Sequence, residues 1–159
     1  MKRAIFSGIL AVLFAVGAAA QTKPNFAGTW QLDPEKSTQP QGNRQGGGNP
    51  APLTIVVEGS KMSISRTMGQ SGNVQTTVYL LDGTVSKNTM AGRGDAPPTE
   101  ITYTSKWDGA KLVTTIVNPR GTSTETRWID ADGTMVVETV STGQDGTPMT
   151  RKQVFKKTT

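Results

Sequence analysis

The feature that most constrains this chain is a series of short strand-like runs separated by acidic–glycine pairs. These pairs recur along the sequence at Glu58-Gly59, Asp82-Gly83, Asp108-Gly109, Asp132-Gly133 and Asp145-Gly146. The glycine of such a pair supplies the positive φ angle that a tight β-hairpin needs. Because hairpins join antiparallel strands, the pairs predict an antiparallel meander.

Between the pairs, side chains alternate as they do in a half-buried strand. Met62 and Ile64 alternate with Ser63 and Ser65, and a similar two-residue period recurs along most of the chain. Thr occurs 24 times, and β-branched residues suit a pleated sheet. The sequence has neither a sustained 3.6-residue apolar period nor a βαβ pattern, which argues against helices and a parallel sheet.

These observations predict an all-β fold of about eight to ten antiparallel strands. A meander of this length has to protect the backbone groups of its edge strands. Closure into an up-and-down barrel removes the edges, so a barrel is the predicted architecture. A two-sheet sandwich is the alternative.

The first twenty residues have the layout of a secretory signal peptide. Lys2 and Arg3 precede an apolar stretch, and the small residues Ala18-Ala19-Ala20 follow it. We predict cleavage after Ala20 and a secreted or periplasmic protein; the alternative is an uncleaved anchor at the short limit for a membrane span. Residues 21–159 are then a single β-barrel domain, in which residues 38–52, rich in Gln, Gly, Asn and Pro, form a flexible loop.

Composition removes several classes of chemistry. The chain has no Cys and no His, which excludes disulfides, thiol nucleophiles, imidazole bases and the usual zinc sites. The net charge is +5, but removing Lys2 and Arg3 leaves 15 basic against 12 acidic residues, or +3. This small excess of basic residues is spread along the chain and does not form the clustered basic patch typical of nucleic-acid-binding proteins.

Carboxylates are the main catalytic groups that remain. Asp130 and Asp132 flank Ala131, but their spacing lacks the later ligands of a calcium loop, so a hairpin turn is the favoured interpretation. We therefore predict no catalytic residues, no metal and no cofactor.

The opening string carries a family resemblance. Residues Asn25 to Ser37, N-F-A-G-T-W-Q-L-D-P-E-K-S, contain a Gly-x-Trp, and this resembles the start of calycin barrels such as lipocalins, fatty-acid-binding proteins and avidins. The resemblance implies that Gly28 and Trp30 lie at the barrel base, with a basic side chain from a late strand over the Trp30 ring. Arg127 and Arg151 are the candidates for that side chain.

The whole string from Asn25 to Ser37 is similar to a group of secreted bacterial proteins described as lipocalin-like. Three later segments are similar to the same group: Lys106 to Gly109, Arg127-Trp128 and Gln153 to Lys157. In fatty-acid-binding proteins an Arg-x-Tyr in the last strand holds the ligand carboxylate. The similar positions here are Gln153 and Phe155, so that pair of ligand contacts is missing.

Two functions of different kinds follow. The first is an exported, monomeric barrel that binds a small apolar ligand without catalysis and without nucleic-acid or membrane partners. Its candidate ligand-binding residues are Tyr103, Trp107, Arg127 and Phe155. The second is a structural or interaction protein of the cell envelope, whose barrel or sandwich is filled by its own side chains.

Overall fold

The computed structural model describes residues 22–38, 51–68, 72–92, 96–143 and 146–158. The predicted signal peptide, residues 1–20, and most of the predicted loop at 38–52 lie outside these ranges. The described residues form ten strands: β1 (Gly28–Thr38), β2 (Leu53–Glu58), β3 (Lys61–Met68), β4 (Asn73–Leu80), β5 (Val85–Met90), β6 (Thr99–Asp108), β7 (Lys111–Asn118), β8 (Gly121–Ile129), β9 (Met135–Thr142) and β10 (Pro148–Thr158). None of these residues belongs to a helix long and apolar enough to cross a membrane.

The ten strands form one sheet in the order β4-β3-β2-β1-β10-β9-β8-β7-β6-β5. Each hydrogen-bonded pair is antiparallel, and the first strand pairs with the last, with Trp30 opposite Lys157. The predicted all-β, up-and-down barrel is confirmed. Gly59, Gly83 and Gly109 adopt φ values of 58°, 90° and 59°, as the acidic–glycine pairs predict.

The sheet does not close through backbone hydrogen bonds between β4 and β5. Side chains of β5 bridge this gap instead. The Val78 N–H donates to Asn88 Oδ1 at 2.7 Å, and Asn88 Nδ2 donates to the Val78 carbonyl at 2.9 Å. Ser86 Oγ donates to the same carbonyl at 2.7 Å. An amide side chain presents the same donor and acceptor as a peptide, so Asn88 replaces one rung of the missing ladder.

The end of the barrel where β1 begins is plugged by aromatic side chains. Trp30 is 2% exposed, and its Nε1 donates to the Phe26 carbonyl at 2.8 Å. Phe26 stacks on Trp107 with ring centroids 5.9 Å apart. Gly28, which lies between Phe26 and Trp30 in the sequence, has φ 131°, and a Cβ there would lie 2.6 Å from Lys157 Cε. A larger residue would therefore strain the backbone at this positive φ and displace the flexible end of the Lys157 side chain, which covers the plug.

The Asp130–Gly133 segment is a hairpin turn, as the sequence favours. The Gly133 N–H donates to the Asp130 carbonyl at 2.9 Å. The Oδ1 atom of Asp132 accepts from the Thr134 backbone at 3.0 Å and from the Thr134 hydroxyl at 2.6 Å. These bonds from Thr134, with Lys36 3.2 Å from Oδ2, lower the pKa of Asp132 to about 2. Both aspartates act within the turn rather than at a shared site.

Candidate functional site

The half of the barrel away from the aromatic plug contains a cavity of about 310 Å³. Its apolar wall consists of Leu53, Ile64, Met68, Met90, Val137 and Phe155. Polar side chains contribute the remainder of the wall: Arg66, Gln75, Thr77, Tyr79, Glu125, Arg127 and Gln153. The lining is therefore mixed: six apolar side chains can bury part of a small molecule, and seven polar side chains can orient it.

Strand periodicity brings these side chains to one side of the sheet. Glu125 and Arg127 are two residues apart on β8, so both face the interior. Arg127 is opposite Val137, and Val137 is opposite Gln153, which aligns three cavity residues across β8, β9 and β10. A second row crosses β2, β3 and β4, where Leu53 is opposite Arg66 and Arg66 is opposite Gln75.

A buried ion pair stands out in the lining. Arg127 Nη2 donates to Glu125 Oε1 at 2.7 Å, and the two side chains are only 5% and 14% exposed. Burial disfavours the charged form of Arg127, but the Glu125 carboxylate raises its pKa above the ordinary value. The arginine is therefore a cation whose charge is balanced within the barrel.

The other contacts of Arg127 are weaker. Its Nη1 lies 3.9 Å from the Met135 sulfur, and its guanidinium carbon lies 5.6 Å from the centroid of the Tyr79 ring. Its Nε is buried and has no hydrogen-bond partner within the described part of the chain. Burial also raises the pKa of Tyr79 far above its ordinary value, so the phenol is neutral. Arg127 thus retains unused donor capacity beside a neutral phenol.

The structure brings together two of the four side chains predicted to bind a ligand. Arg127 and Phe155 line the cavity. Tyr103 lies behind the lining, in an edge-to-face contact with Tyr79 at 5.0 Å. Trp107 belongs to the plug, where it stacks on Phe26, and the Lys23 ammonium lies 5.4 Å from its ring. Tyr103 and Trp107 are therefore not among the residues that line the cavity.

The basic side chain over the Trp30 ring also differs from the expected arginine. Lys157 Nζ lies 5.4 Å from the ring centroid. Lys157 is directly opposite Trp30 on neighbouring strands, whereas Arg151 is opposite Thr139 and Arg127 contacts Tyr79. The cation near the ring is thus Lys157, which the register of β1 and β10 places there, and neither Arg127 nor Arg151.

Sequence reasoning missed Glu125, Arg66, Gln75 and Thr77 as cavity residues. A signal was present for two of them. Glu125 shares the two-residue period of Arg127, and Arg66 continues the inward series of Met62 and Ile64. The hairpin signal at Asp132-Gly133 predicts that β8 pairs with β9, but local signals do not give the exact register of the strands, which sets the depth of each residue in the barrel.

The lining offers few routes to catalysis. Among the described residues that line the cavity, Glu125 is the one carboxylate, and it is paired with Arg127. Among residues 22–38, 51–68, 72–92, 96–143 and 146–158, no three acidic side chains are grouped so that they would hold a metal ion.

Among the comparisons with known proteins, only the one with solved structures finds similar proteins. No protein-family model matches the chain, and a search of curated proteins finds no match. Among solved structures, the REP1-NXSQ fatty acid transporter superposes with a TM-score of 0.54 at 15% identity, covering 84% of this chain and 96% of that protein. The wild-type fluorescent protein UnaG gives 0.55 at 19%, covering 84% and 97%.

A secretory abundant heat soluble protein from Ramazzottius varieornatus gives a TM-score of 0.54 at 17% identity, covering 88% of this chain and all of that one. These coverages include nearly the whole of each similar structure, so the likeness concerns the complete barrel and not a fragment. At such low identities the likeness concerns the fold alone. The described part of the chain folds as a ten-stranded, calycin-like barrel.

Proposed function

We propose that this protein binds a small, mainly apolar molecule inside its barrel and does not act as an enzyme. The observation that carries the proposal is the cavity of about 310 Å³ on the side of the barrel away from the aromatic plug. One half of the interior is filled by Phe26, Trp30 and their neighbours, whereas the other half has space for a small-molecule ligand. The volume falls at the lower end of the roughly 300–1,000 Å³ of ligand pockets.

The size of the cavity limits the ligand. The cavity is partly open to solvent, and its volume suits a short alkyl chain or a small fused ring system. The apolar wall would bury a hydrocarbon chain or ring, and each buried methylene contributes about 0.8 kcal/mol. A longer molecule would extend out of the cavity.

Two further observations support binding. The alternative function from the sequence, a structural or interaction protein of the envelope, requires a barrel filled by its own side chains. Such a barrel should contain no cavity of this size. One of the structurally similar proteins is named a fatty acid transporter, which is consistent with a ligand inside this type of barrel. The proposed setting is export of a monomer through the signal peptide at residues 1–20, to the periplasm or the exterior.

A cavity-filling variant tests the proposal. Gln75 lines the cavity, whereas its neighbour Val74 is 64% exposed on the outside of β4. We expect wild-type protein to bind one molecule of the neutral dye 1-aminoanthracene, with a rise in fluorescence. Gln75→Trp should weaken this binding by about tenfold or more, or about 1.4 kcal/mol.

Val74→Trp is the matched control, because it adds the same indole outside the barrel. It should leave the dye affinity near that of the wild type. Absence of dye binding, or an equal loss in both variants, would contradict an internal ligand site.

A further inference from the structure

The ion pair inside the cavity bears on which class of ligand the barrel accepts. Glu125 and Arg127 occupy adjacent inward positions of β8, and both line the cavity. Their 2.7 Å contact and low exposure remove both groups from bulk water. A buried charge needs a partner, and here each group already has one inside the protein.

An arginine inside a barrel ordinarily attracts an anionic head group, because a guanidinium binds a carboxylate through charge-assisted hydrogen bonds. Here the Glu125 carboxylate already occupies the position that such an anion would take beside Arg127. A ligand carboxylate approaching Arg127 would meet the negative charge of Glu125 in a site with little water to screen it. It would have to displace Glu125, leaving that carboxylate buried without its partner.

A neutral head group avoids this conflict. Hydroxyl and carbonyl oxygens accept hydrogen bonds without adding charge, and Arg127 has donor capacity left over. Gln75, Thr77 and Gln153 add uncharged donors and acceptors around the same cavity. The other cation of the lining, Arg66, is exposed, so water screens its attraction for an anion.

We infer that Glu125 is a specificity-determining residue, which neutralises Arg127 so that the cavity prefers uncharged amphiphiles, such as alcohols, over the corresponding carboxylates. This inference rests on the proposed function, since it requires a ligand in the cavity. Specificity here comes from a repulsive group placed against the wrong ligand as much as from contacts with the right one.

Three ten-carbon ligands test the inference in the full-length protein: 1-decanol, decanoate and decylammonium. Each is titrated at pH 7 by displacement of 1-aminoanthracene and by calorimetry. We expect the wild type to bind 1-decanol at least about tenfold more tightly than decanoate. Decylammonium should also bind less tightly than 1-decanol, because its charge would lose its hydration without gaining an unpaired carboxylate, since Glu125 is already paired with Arg127. A wild type that binds decanoate as well as 1-decanol would overturn the inference without any variant.

The key variant is Glu125→Gln, which keeps the shape of the side chain and removes its charge. It should raise the affinity for decanoate by about tenfold or more and change that for 1-decanol by less than about threefold. Glu125→Asp retains the charge and should retain the preference for the alcohol. Glu100→Gln is the matched control: it removes the same charge from an outward-facing ion pair, with Lys87 at 3.2 Å, and should leave every affinity unchanged.

A double variant covers the case in which Glu125→Gln does not fold. Glu125→Gln with Arg127→Gln removes both charges, so no buried ion is left unpaired. This protein should bind 1-decanol but gain no affinity for decanoate, since the cation that Glu125 masks is gone. A gain for decanoate in the double variant would contradict the inference.

The outcomes separate the two proposals. If the dye and all three decyl ligands fail to bind the wild type, the proposed function itself is wrong. If the dye and 1-decanol bind but Glu125→Gln leaves the ratio of alcohol to carboxylate affinity unchanged, only the role of Glu125 is wrong.

Discussion

Replacing Trp30 by Ala removes the centre of the aromatic plug and should strongly destabilise the barrel. A buried Trp covers about 150–250 Å², which at about 25 cal/mol per Å² gives roughly 4–6 kcal/mol as an upper limit. Ala retains part of this area, but the cavity left behind adds a cost of its own, and measured values for large aromatic truncations are about 3–5 kcal/mol.

Two specific contacts of Trp30 are included in that cost. The Nε1–H bond to the Phe26 carbonyl, at 2.8 Å, is buried, so its loss leaves an acceptor unpaired. The Lys157 ammonium lies 5.4 Å from the ring and loses a cation–π contact of about 0.5–1 kcal/mol. We therefore expect the variant to lose about 4 kcal/mol, the middle of the range for such truncations.

The assay is urea unfolding followed by far-ultraviolet circular dichroism, with a thermal scan as a second measurement. A loss of about 4 kcal/mol should lower Tm by roughly 10–15 °C in a domain of this size. Trp128→Ala is the control, since Trp128 is only half-buried on β8 and also has a lysine, Lys111, 4.7 Å from its ring. It should lose less than half as much stability. Equal losses in the two variants, or an unchanged Tm in Trp30→Ala, would refute the conclusion that Trp30 is the stabilising centre of the aromatic plug.

Three further predictions follow from the contacts of the barrel. Asn88→Ala removes two hydrogen bonds that bridge β4 and β5 and should cost about 1–3 kcal/mol, with faster amide exchange in β4 measured by NMR; unchanged exchange would show that the gap closes by other means. Glu125→Ala leaves Arg127 buried without its partner and should cost about 3–5 kcal/mol in urea unfolding, whereas Glu125→Leu with Arg127→Met should recover most of that loss; no recovery would contradict the ion-pair interpretation. Folding lowers the pKa of Asp132 from its ordinary 3.8 to about 2, chiefly through the Thr134 hydroxyl, so its stabilisation is present above pH 4 and is lost as the pH falls through about 2. Asp132→Asn should remove that part of the acid dependence, and an identical pH profile would count against it.

The barrel itself was predictable because its signals are local. An acidic–glycine pair such as Asp108-Gly109 specifies a hairpin within a few residues, and alternation within a run such as Met62 to Ile64 specifies which side chains face inward. Neither signal depends on distant parts of the chain. The Gly-x-Trp opening added the position of Trp30 at the base.

The depth of each side chain in the barrel was not predictable, because it depends on pairing between strands. Trp107 and Phe155 both face inward, yet Trp107 belongs to the plug and Phe155 lines the cavity. The cation over Trp30 is Lys157 for the same reason, since register places it directly opposite. The hydrogen bonds from the Asn88 side chain to β4 were also not predictable, because nothing in the local sequence shows that β4 and β5 lack backbone hydrogen bonds to each other.

An NMR titration of the ¹⁵N-labelled protein with 1-decanol tests the ligand-binding claim most directly. We expect the amide shifts to saturate with a single bound ligand and to concentrate around Thr77, Arg127 and Gln153, which line the cavity on β4, β8 and β10. Shifts that never saturate, or that are confined to outward-facing residues such as Val56 and Val117, would contradict a ligand site inside the barrel.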